Sequence, residues 1–243
     1  MLPVEKTKIK ENLFDYVILI HGVPKIGKST LISEIGNVLF ADCEGGLKAL
    51  EVYKSAVTKW NGEEGGFLKL CNEFTTEKHK FSCMAIDTID ALHKICVGYI
   101  MKKYDITHPS DLEWGKGYDL VKTEFLRPLL KLSTSGFGLI LISHTKQIEV
   151  QTRTLKITKW VPDMPHHAWS QIEGFVDIIL YAQMTETSEG EKRYMVAKPS
   201  ENWIAGDRTT RLLKYDKIPM TWKSLTDAFK IKEVEKTPLL GTK

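Results

Sequence analysis

The sequence predicts a doubly wound α/β fold, a mainly parallel twisted sheet flanked by helices, with an antiparallel hairpin added near the C-terminal end. Short apolar runs alternate along the chain with longer stretches of helical periodicity. The runs are apolar nearly throughout, as in strands that are covered on both faces. The six runs span residues 16–20, 38–41, 83–86, 138–142, 176–182 and 194–197.

Helical patterns fill the intervals between these runs. Residues 30–35 follow the first strand, and residues 89–104 and 119–132 place apolar side chains at helical spacing. Pro128 is expected to bend or break the last of these helices. Residues 185–192 are polar and rich in turn formers, so the last two strands are expected to form the hairpin.

Length and composition limit the class of protein. At 243 residues, one domain is expected over residues 1–229, with a flexible tail over the lysine-rich residues 230–243. A net charge of +3 is too small to indicate a nucleic-acid partner by itself. No apolar signal core or membrane-length run is present, and the four cysteines show no CxxC spacing. These features predict a protein of the reducing cytoplasm that does not enter a membrane.

The segment between the first strand and the first helix carries the most specific motif. It fits the pattern Gly-x-x-x-x-Gly-Lys-Ser/Thr of a phosphate-binding P-loop, in which backbone N–H groups point at one anion. Lys28 is expected to reach the β and γ phosphates of ATP, and Ser29 is expected to bind Mg²⁺. A surface turn is the alternative, which the flanking strand and helix disfavour. The expected nucleotide-binding residues are Gly22, Val23, Pro24, Lys25, Ile26, Gly27, Lys28, Ser29 and Thr30.

Polar residues follow three further strands. Asp87 ends an apolar run and is expected to bind Mg²⁺ opposite Ser29, as a Walker B residue, although a strand-end aspartate can also cap the next helix. Glu44 is the preferred general base for an attacking water, whereas Asp42 is as readily a solvated acid. His144 is expected either to sense the γ-phosphate and relay its loss or to be an ordinary hydrogen-bonded histidine.

The segment after His144 is long, and it interleaves basic residues with an aromatic side chain. Positive charge follows phosphates, and an aromatic ring stacks on unpaired bases. We therefore predict a loop or hairpin that binds single-stranded DNA. The alternatives are an exposed hairpin with ordinary charges or a contact to a neighbouring subunit. The predicted contact residues are Lys146, Arg153, Lys156, Lys159 and Trp160.

Taken in chain order, the P-loop and the strand ends at Glu44, Asp87 and His144 resemble the RecA-type ATPase core. More narrowly, the chain is similar to the short phage-encoded RecA-like ATPases of recombination and single-strand annealing. The resemblance extends over roughly residues 13 to 215. It implies a RecA-like P-loop fold and a homo-oligomer with the nucleotide at or near the subunit interface.

The same resemblance points to late basic residues that reach a neighbouring subunit's nucleotide. Arg208 and Lys198 are the candidates, and each can equally form a surface salt bridge. Two positions depart from the family pattern. His144 stands where RecA has glutamine, and Gly206 stands where the short relatives often carry lysine before the Asp-Arg pair.

The sequence therefore predicts an ATP-binding and ATP-hydrolysing protein of phage-type DNA recombination or replication that binds single-stranded DNA. Adenine is expected because no guanine-reading NKxD motif is present. One alternative is a nucleotide-switched assembly or loader module with slow turnover. Another is a small-molecule P-loop kinase, which the lack of an arginine-rich lid disfavours.

Overall fold

The computed structural model describes residues 2–151, 156–188 and 190–230. The strands are β1 (Val17–His21), β2 (Val38–Asp42), β3 (Tyr53–Ala56), β4 (Cys83–Asp87), β5 (Gly138–Ser143), β6 (Thr145–Gln151), β7 (Lys156–Pro162), β8 (Ile178–Thr187), β9 (Gly190–Val196), β10 (Gly206–Asp207) and β11 (Ile218–Pro219). The helices are α1 (Lys28–Ser33), α2 (Phe67–Thr76), α3 (Ile89–Lys103), α4 (Lys116–Ser133), α5 (His166–Phe175) and α6 (Trp222–Phe229).

The main sheet has the strand order β11-β9-β8-β1-β5-β4-β2-β3, and β10 pairs with the first residues of β8. The strands from β8 to β3 in this order are mutually parallel, whereas β9, β10 and β11 add in antiparallel pairs. The predicted α/β class, its mainly parallel sheet and its late hairpin of β8 and β9 are therefore confirmed. Parallel pairing brings the carboxyl ends of β1, β2, β4 and β5 to one edge, where ligands bind in open α/β sheets.

Alternation along the strands explains why the runs are apolar nearly throughout. Leu19 and Leu141 point to the face covered by α2, α3, α4 and α5. Ile18, Ile20 and Ile142 point to the opposite face, which α1 and α6 cover. Each fully buried side chain of this size stabilises the fold by about 1.5–3 kcal/mol. The sheet is thus a rigid platform beneath its carboxyl edge.

Two local features differ from the sequence-based expectations. Strand β3 was not predicted, because its Tyr-Lys-Ser-Ala sequence lies exposed at the sheet edge and shows no apolar run. Pro128 does not end a helix, since α4 continues through it. Phe125 and Leu129 on either side of Pro128 are buried in the core, and their packing holds the helix despite the missing N–H donor.

Three further sequence-based expectations concern membrane-spanning helices, the state of the cysteines and the C-terminal tail. Within the described ranges, no helix combines the length and apolarity that crossing a bilayer requires. All four cysteines are free thiols, and burial raises the pKa of Cys71 and Cys83 to about 12. The predicted tail, apart from Lys230, and the predicted DNA contact Arg153 lie outside the described residues.

Candidate functional site

The P-loop follows β1 and leads into α1, as predicted. Gly27 immediately precedes α1 with φ of 104°, in the left-handed region that glycine adopts without strain. Gly22 lies so close to β8 that a Cβ atom placed on it would be 2.9 Å from Cβ of Ala182. Both glycines of the motif are therefore required by the backbone path.

Lys28 is buried beneath the loop. Its Nζ donates to the carbonyl oxygens of Gly22 and Val23, at 2.8 and 3.0 Å. Burial lowers the pKa of Lys28 to about 8, while the nearby carboxylates of Asp87, Asp90 and Glu44 act in the opposite direction. The ammonium group stays mostly protonated at neutral pH and is held within the loop that the motif assigns to phosphates.

Ser29 and Asp87 meet at the edge of the sheet. Ser29 Oγ donates a hydrogen bond of 2.6 Å to Asp87 Oδ2, although β5 separates β1 from β4. Burial raises the pKa of the Asp87 carboxyl, and the Ser29 hydrogen bond works against this shift. A hydroxyl and a carboxylate side by side form the hard-oxygen donor set that suits Mg²⁺. The alternative helix-capping role belongs to Thr88, whose Oγ1 accepts from the N–H of Ala91.

Glu44 and His144 face each other across the same edge. His144 Nε2 lies 3.1 Å from Glu44 Oε2, and Thr88 Oγ1 donates to Glu44 Oε1 at 2.8 Å. Both carboxylate oxygens of Glu44 therefore have partners, although the residue itself remains exposed. The structure thus joins two predicted site residues that lie 100 positions apart in the chain.

Asp42 has a structural role at the end of β2. Its Oδ1 accepts the backbone N–H groups of Glu44 and Gly45, at 3.3 and 2.7 Å. These bonds form the turn that presents Glu44. Glu44, and not Asp42, lines the cleft together with the P-loop residues.

Asp90 belongs to the site but was not predicted. It is buried in the first turn of α3, and its Oδ1 accepts the backbone N–H of His144 at 3.3 Å. Ligand-capable atoms of Glu44, Asp90 and His144 all lie within 4.8 Å of one another. Burial raises the pKa of Asp90. An acid in a first helical turn is ordinary in sequence, so its spacing of three from Asp87 was the sole available signal.

The P-loop residues, Glu44, Asp87 and His144 line one cleft of about 490 Å³. Lys25, Lys28 and Ser29 line it from the P-loop, and Glu44 and His144 line it from the strands across the sheet. Its size lies within the usual range for small-molecule sites. A cationic loop thus faces a cluster of acidic groups, the arrangement that phosphoryl transfer with a metal ion requires.

The predicted DNA-binding segment is a separate two-stranded hairpin of β6 and β7, called the arm from here on. Its register and strand alternation place Lys146 and Lys159 on the face that borders a groove next to α5. Lys156 and Trp160 lie on the opposite face. The described contact candidates are thus divided between two surfaces, and a single strand of nucleic acid on one face would meet only some of them.

Several of these side chains already have protein partners. Lys146 Nζ donates to the carbonyl of Met164 and lies 3.3 Å from Asp163, and Lys156 lies 3.6 Å from Glu149. Trp160 is half-buried at the base of the arm. Its ring stacks on Tyr181 at a centroid distance of 6.5 Å, and Tyr181 in turn stacks on Trp203 at 5.8 Å. The Trp160 ring therefore packs at the base of the arm and is not a fully exposed aromatic surface.

The arm base is bonded to the end of the P-loop strand through His21, which immediately precedes Gly22. His21 Nε2 lies 2.7 Å from the carbonyl oxygen of Ile204 and so must donate to it. Burial lowers the pKa of His21 to about 4, so Nδ1 of the neutral ring is an acceptor. The Thr145 hydroxyl lies 3.2 Å from this Nδ1 and 2.8 Å from the Val161 carbonyl. A hydroxyl has one hydrogen to donate, so Thr145 Oγ1 donates to the Val161 carbonyl and only contacts Nδ1 of His21, and Thr145 of β6 thereby touches both β1 and β7.

The two candidate trans-acting residues lie away from this chain's own cleft. Arg208 donates to Asp177 Oδ1 at 3.2 Å and to the Gly174 carbonyl at 2.7 Å. Asp177 also accepts the N–H of Val17, so Arg208 lies at the amino end of β1, opposite the P-loop. Lys198 pairs with Asp216. Reaching a nucleotide would require a neighbouring molecule and the exchange of these partners.

A comparison with protein families agrees with the motif. A family model described as an AAA domain matches residues 15–209. No curated protein sequence matches the chain. One similar solved structure is the KaiC-like protein PH0186 of the hyperthermophilic archaeon Pyrococcus horikoshii OT3, which is 13% identical, with 75% of this chain and 77% of that chain covered and a TM-score of 0.40.

Proposed function

The chain belongs to the AAA domain family of P-loop ATPases, and from this premise we propose that it hydrolyses ATP with Mg²⁺ and binds single-stranded DNA. The convergence of Lys28, the Ser29–Asp87 pair and Glu44 at one cleft carries the proposal. The resemblance of the motif order to short phage-encoded RecA-like ATPases supports a role in DNA recombination or replication, in a homo-oligomer.

Each residue of the cleft has a defined task in this mechanism. The ammonium of Lys28 leaves the carbonyls of Gly22 and Val23 and binds the phosphate oxygens on which charge develops. Ser29 and Asp87 would hold Mg²⁺, which when bound would neutralise charge on the transferred phosphoryl group. Glu44 orients the attacking water and accepts its proton.

His144 connects this chemistry to the arm. Its imidazole holds one oxygen of Glu44, and its backbone leads directly into β6. Its carbonyl oxygen accepts the N–H of Asp163, immediately beyond β7. A displacement of the arm would therefore move His144 and free Glu44 to accept a proton. We infer that DNA on the arm stimulates hydrolysis by this route.

The direct test measures ATP turnover with and without a short single-stranded oligonucleotide. The proposal expects Mg²⁺-dependent hydrolysis that rises on adding the oligonucleotide. His144→Ala should uncouple the two, with the same rate in both conditions. If the rate of hydrolysis does not change on adding DNA and no DNA binding is measured, the nucleic-acid role is excluded and the proposed ATPase activity still stands.

A nucleotide-switched assembly module is the second candidate, because both carboxylate oxygens of Glu44 are engaged and this arrangement would slow proton acceptance from water. In that case a protein partner is recovered with ATP in the absence of DNA. If the partner is recovered with ATP but not with a non-hydrolysable ATP analogue, hydrolysis is required and a switch that acts by binding alone is excluded.

A further inference from the structure

The hairpin of β8 and β9 forms a side wall of the P-loop. β8 pairs directly with β1, and the register aligns His21 with Tyr181, which in turn aligns with Val196 of β9. β8 continues past the end of β1, and β9 returns alongside it. Residues 182–188 and 190–195 therefore extend beyond the sheet edge at which the P-loop begins.

Arg193 on β9 points from this wall toward the loop. Met195, two positions further along, is fully buried on the face of the sheet that α1 covers. Strand alternation places Arg193 on the same face. A Cβ atom placed on Gly27 would lie 3.0 Å from Nη1 of Arg193, so the guanidinium directly abuts the P-loop.

The charges at this contact are unbalanced. Arg193 makes no ion pair and no side-chain hydrogen bond within the parts of the chain that the structure describes. The neighbouring loop contributes two further cations, Lys25 and Lys28. Lys28 faces the carboxylates of Asp87, Asp90 and Glu44, whereas Arg193 has no acidic partner among the described residues, so a polyphosphate beside the loop would supply the anion that Arg193 lacks.

We propose that Arg193 binds the phosphate chain of the nucleotide held by its own P-loop. This inference rests on the proposed nucleotide function and adds a residue to it. A guanidinium forms paired, charge-assisted hydrogen bonds to phosphate oxygens, which a lysine cannot reproduce. Arg193 would act within one chain, unlike Arg208 and Lys198, which reach a nucleotide only from a neighbour. Arg193 would therefore bind phosphate in a single chain, without a neighbouring subunit.

The test compares wild type, Arg193→Gln and Arg193→Lys by competition against a fluorescent ATP analogue, with thermal unfolding as the check on folding. Competitors are ATP, ADP and inorganic tripolyphosphate, all with Mg²⁺. Arg193→Gln should weaken all three by about tenfold or more, the value of a charge-assisted hydrogen bond. Arg193→Lys should recover part of the loss. Lys192→Gln, a charge loss on the opposite face of the same strand, is the matched control.

The outcomes separate this inference from the proposed function. If wild type binds nucleotide and tripolyphosphate but Arg193→Gln binds them equally well, Arg193 is not a phosphate ligand. A loss confined to ATP and ADP, with tripolyphosphate unaffected, would also overturn the inference, because the contact would then be to the nucleoside. If wild type binds none of the three, the proposed function fails as well.

Discussion

The P-loop cleft and the arm are adjoining regions with opposite physical character. In the cleft, Lys28 and Asp87 are buried, and each is bonded to a group from the same site. In the arm, the Lys156–Glu149 pair spans 3.6 Å with both side chains more than 70% exposed. Exposed pairs of this kind contribute about 0–1 kcal/mol. The cleft holds its charged groups in buried contacts, whereas the arm carries exposed charges in weak pairs.

The strongest test of this contrast is Lys28→Ala. In the proposed mechanism this buried cation is the main electrostatic group that binds the phosphates, so its loss should lower turnover by a factor on the order of 10³. Steady-state phosphate release measures this effect, with Lys122→Ala on the exposed side of α4 as the control. Substantial turnover in Lys28→Ala would place the chemistry outside the P-loop.

Glu44→Gln tests the base separately from binding. The amide keeps the shape of the carboxylate but cannot accept the proton, so hydrolysis should slow by about a hundredfold. ATP affinity measured by fluorescence competition should be nearly unchanged. Normal hydrolysis in Glu44→Gln would assign proton acceptance to another group, and Asp90 and His144 are the candidates beside it.

His21 lies where the two regions join, and its titration should weaken the fold at low pH. Its pKa is about 4 in the folded chain and near 6.5 when unfolded, so the unfolded state binds more protons between these values. Stability should therefore fall as pH decreases from 6.5 toward 4, with His21 contributing on the order of 2 kcal/mol by pH 4.5.

Urea unfolding at several pH values measures that contribution. His21→Gln keeps a donor for the Ile204 carbonyl but does not titrate. Its unfolding free energy should start lower at neutral pH and then fall less steeply than that of wild type. Parallel pH profiles for the two proteins would show that the pKa of His21 is the same in the folded and the unfolded chain.

The smallest effect is expected on the arm itself. Replacing both Lys146 and Lys159, which share the face of the arm that borders the groove, by alanine should weaken single-stranded DNA binding by about tenfold and reduce its dependence on salt. Because Trp160 supports the arm base, its substitution would confound binding with folding, and the lysines are the cleaner test. Lys8→Ala combined with Lys122→Ala removes the same charge elsewhere; an equal loss in that control would mean that only net charge matters.

The sequence was most informative where the chemistry is local or lies at strand ends. The P-loop is contiguous, and the end of a parallel strand fixes which edge its last residue reaches. Asp87 and Glu44 could therefore be placed near Lys28 before any coordinates were known. The antiparallel hairpin was likewise indicated by its polar turn between two apolar runs.

The residues that were missed depend on contacts between distant segments. Arg193 lies 166 positions after Gly27 in the chain, and only the pairing of β8 with β1 brings the two together. Asp90 looked like an ordinary first-turn acid until β5 placed His144 above it. Trp160 was expected to be available to DNA, but its partners Tyr181 and Trp203 come from later segments. Strand alternation could not divide the arm's lysines between two faces before its register was known.

The aromatic stack at the arm base also makes the molecule an optical reporter of its own conformation. Indole emission depends on the polarity and the ring contacts around the indole. Trp160 lies on strand β7 of the arm and stacks on Tyr181 of β8, the strand that pairs with β1. A shift of the arm would separate Trp160 from Tyr181 and change its emission wavelength. With the remaining tryptophans replaced by phenylalanine, stopped-flow fluorescence would time the arm movement against phosphate release, without any attached dye.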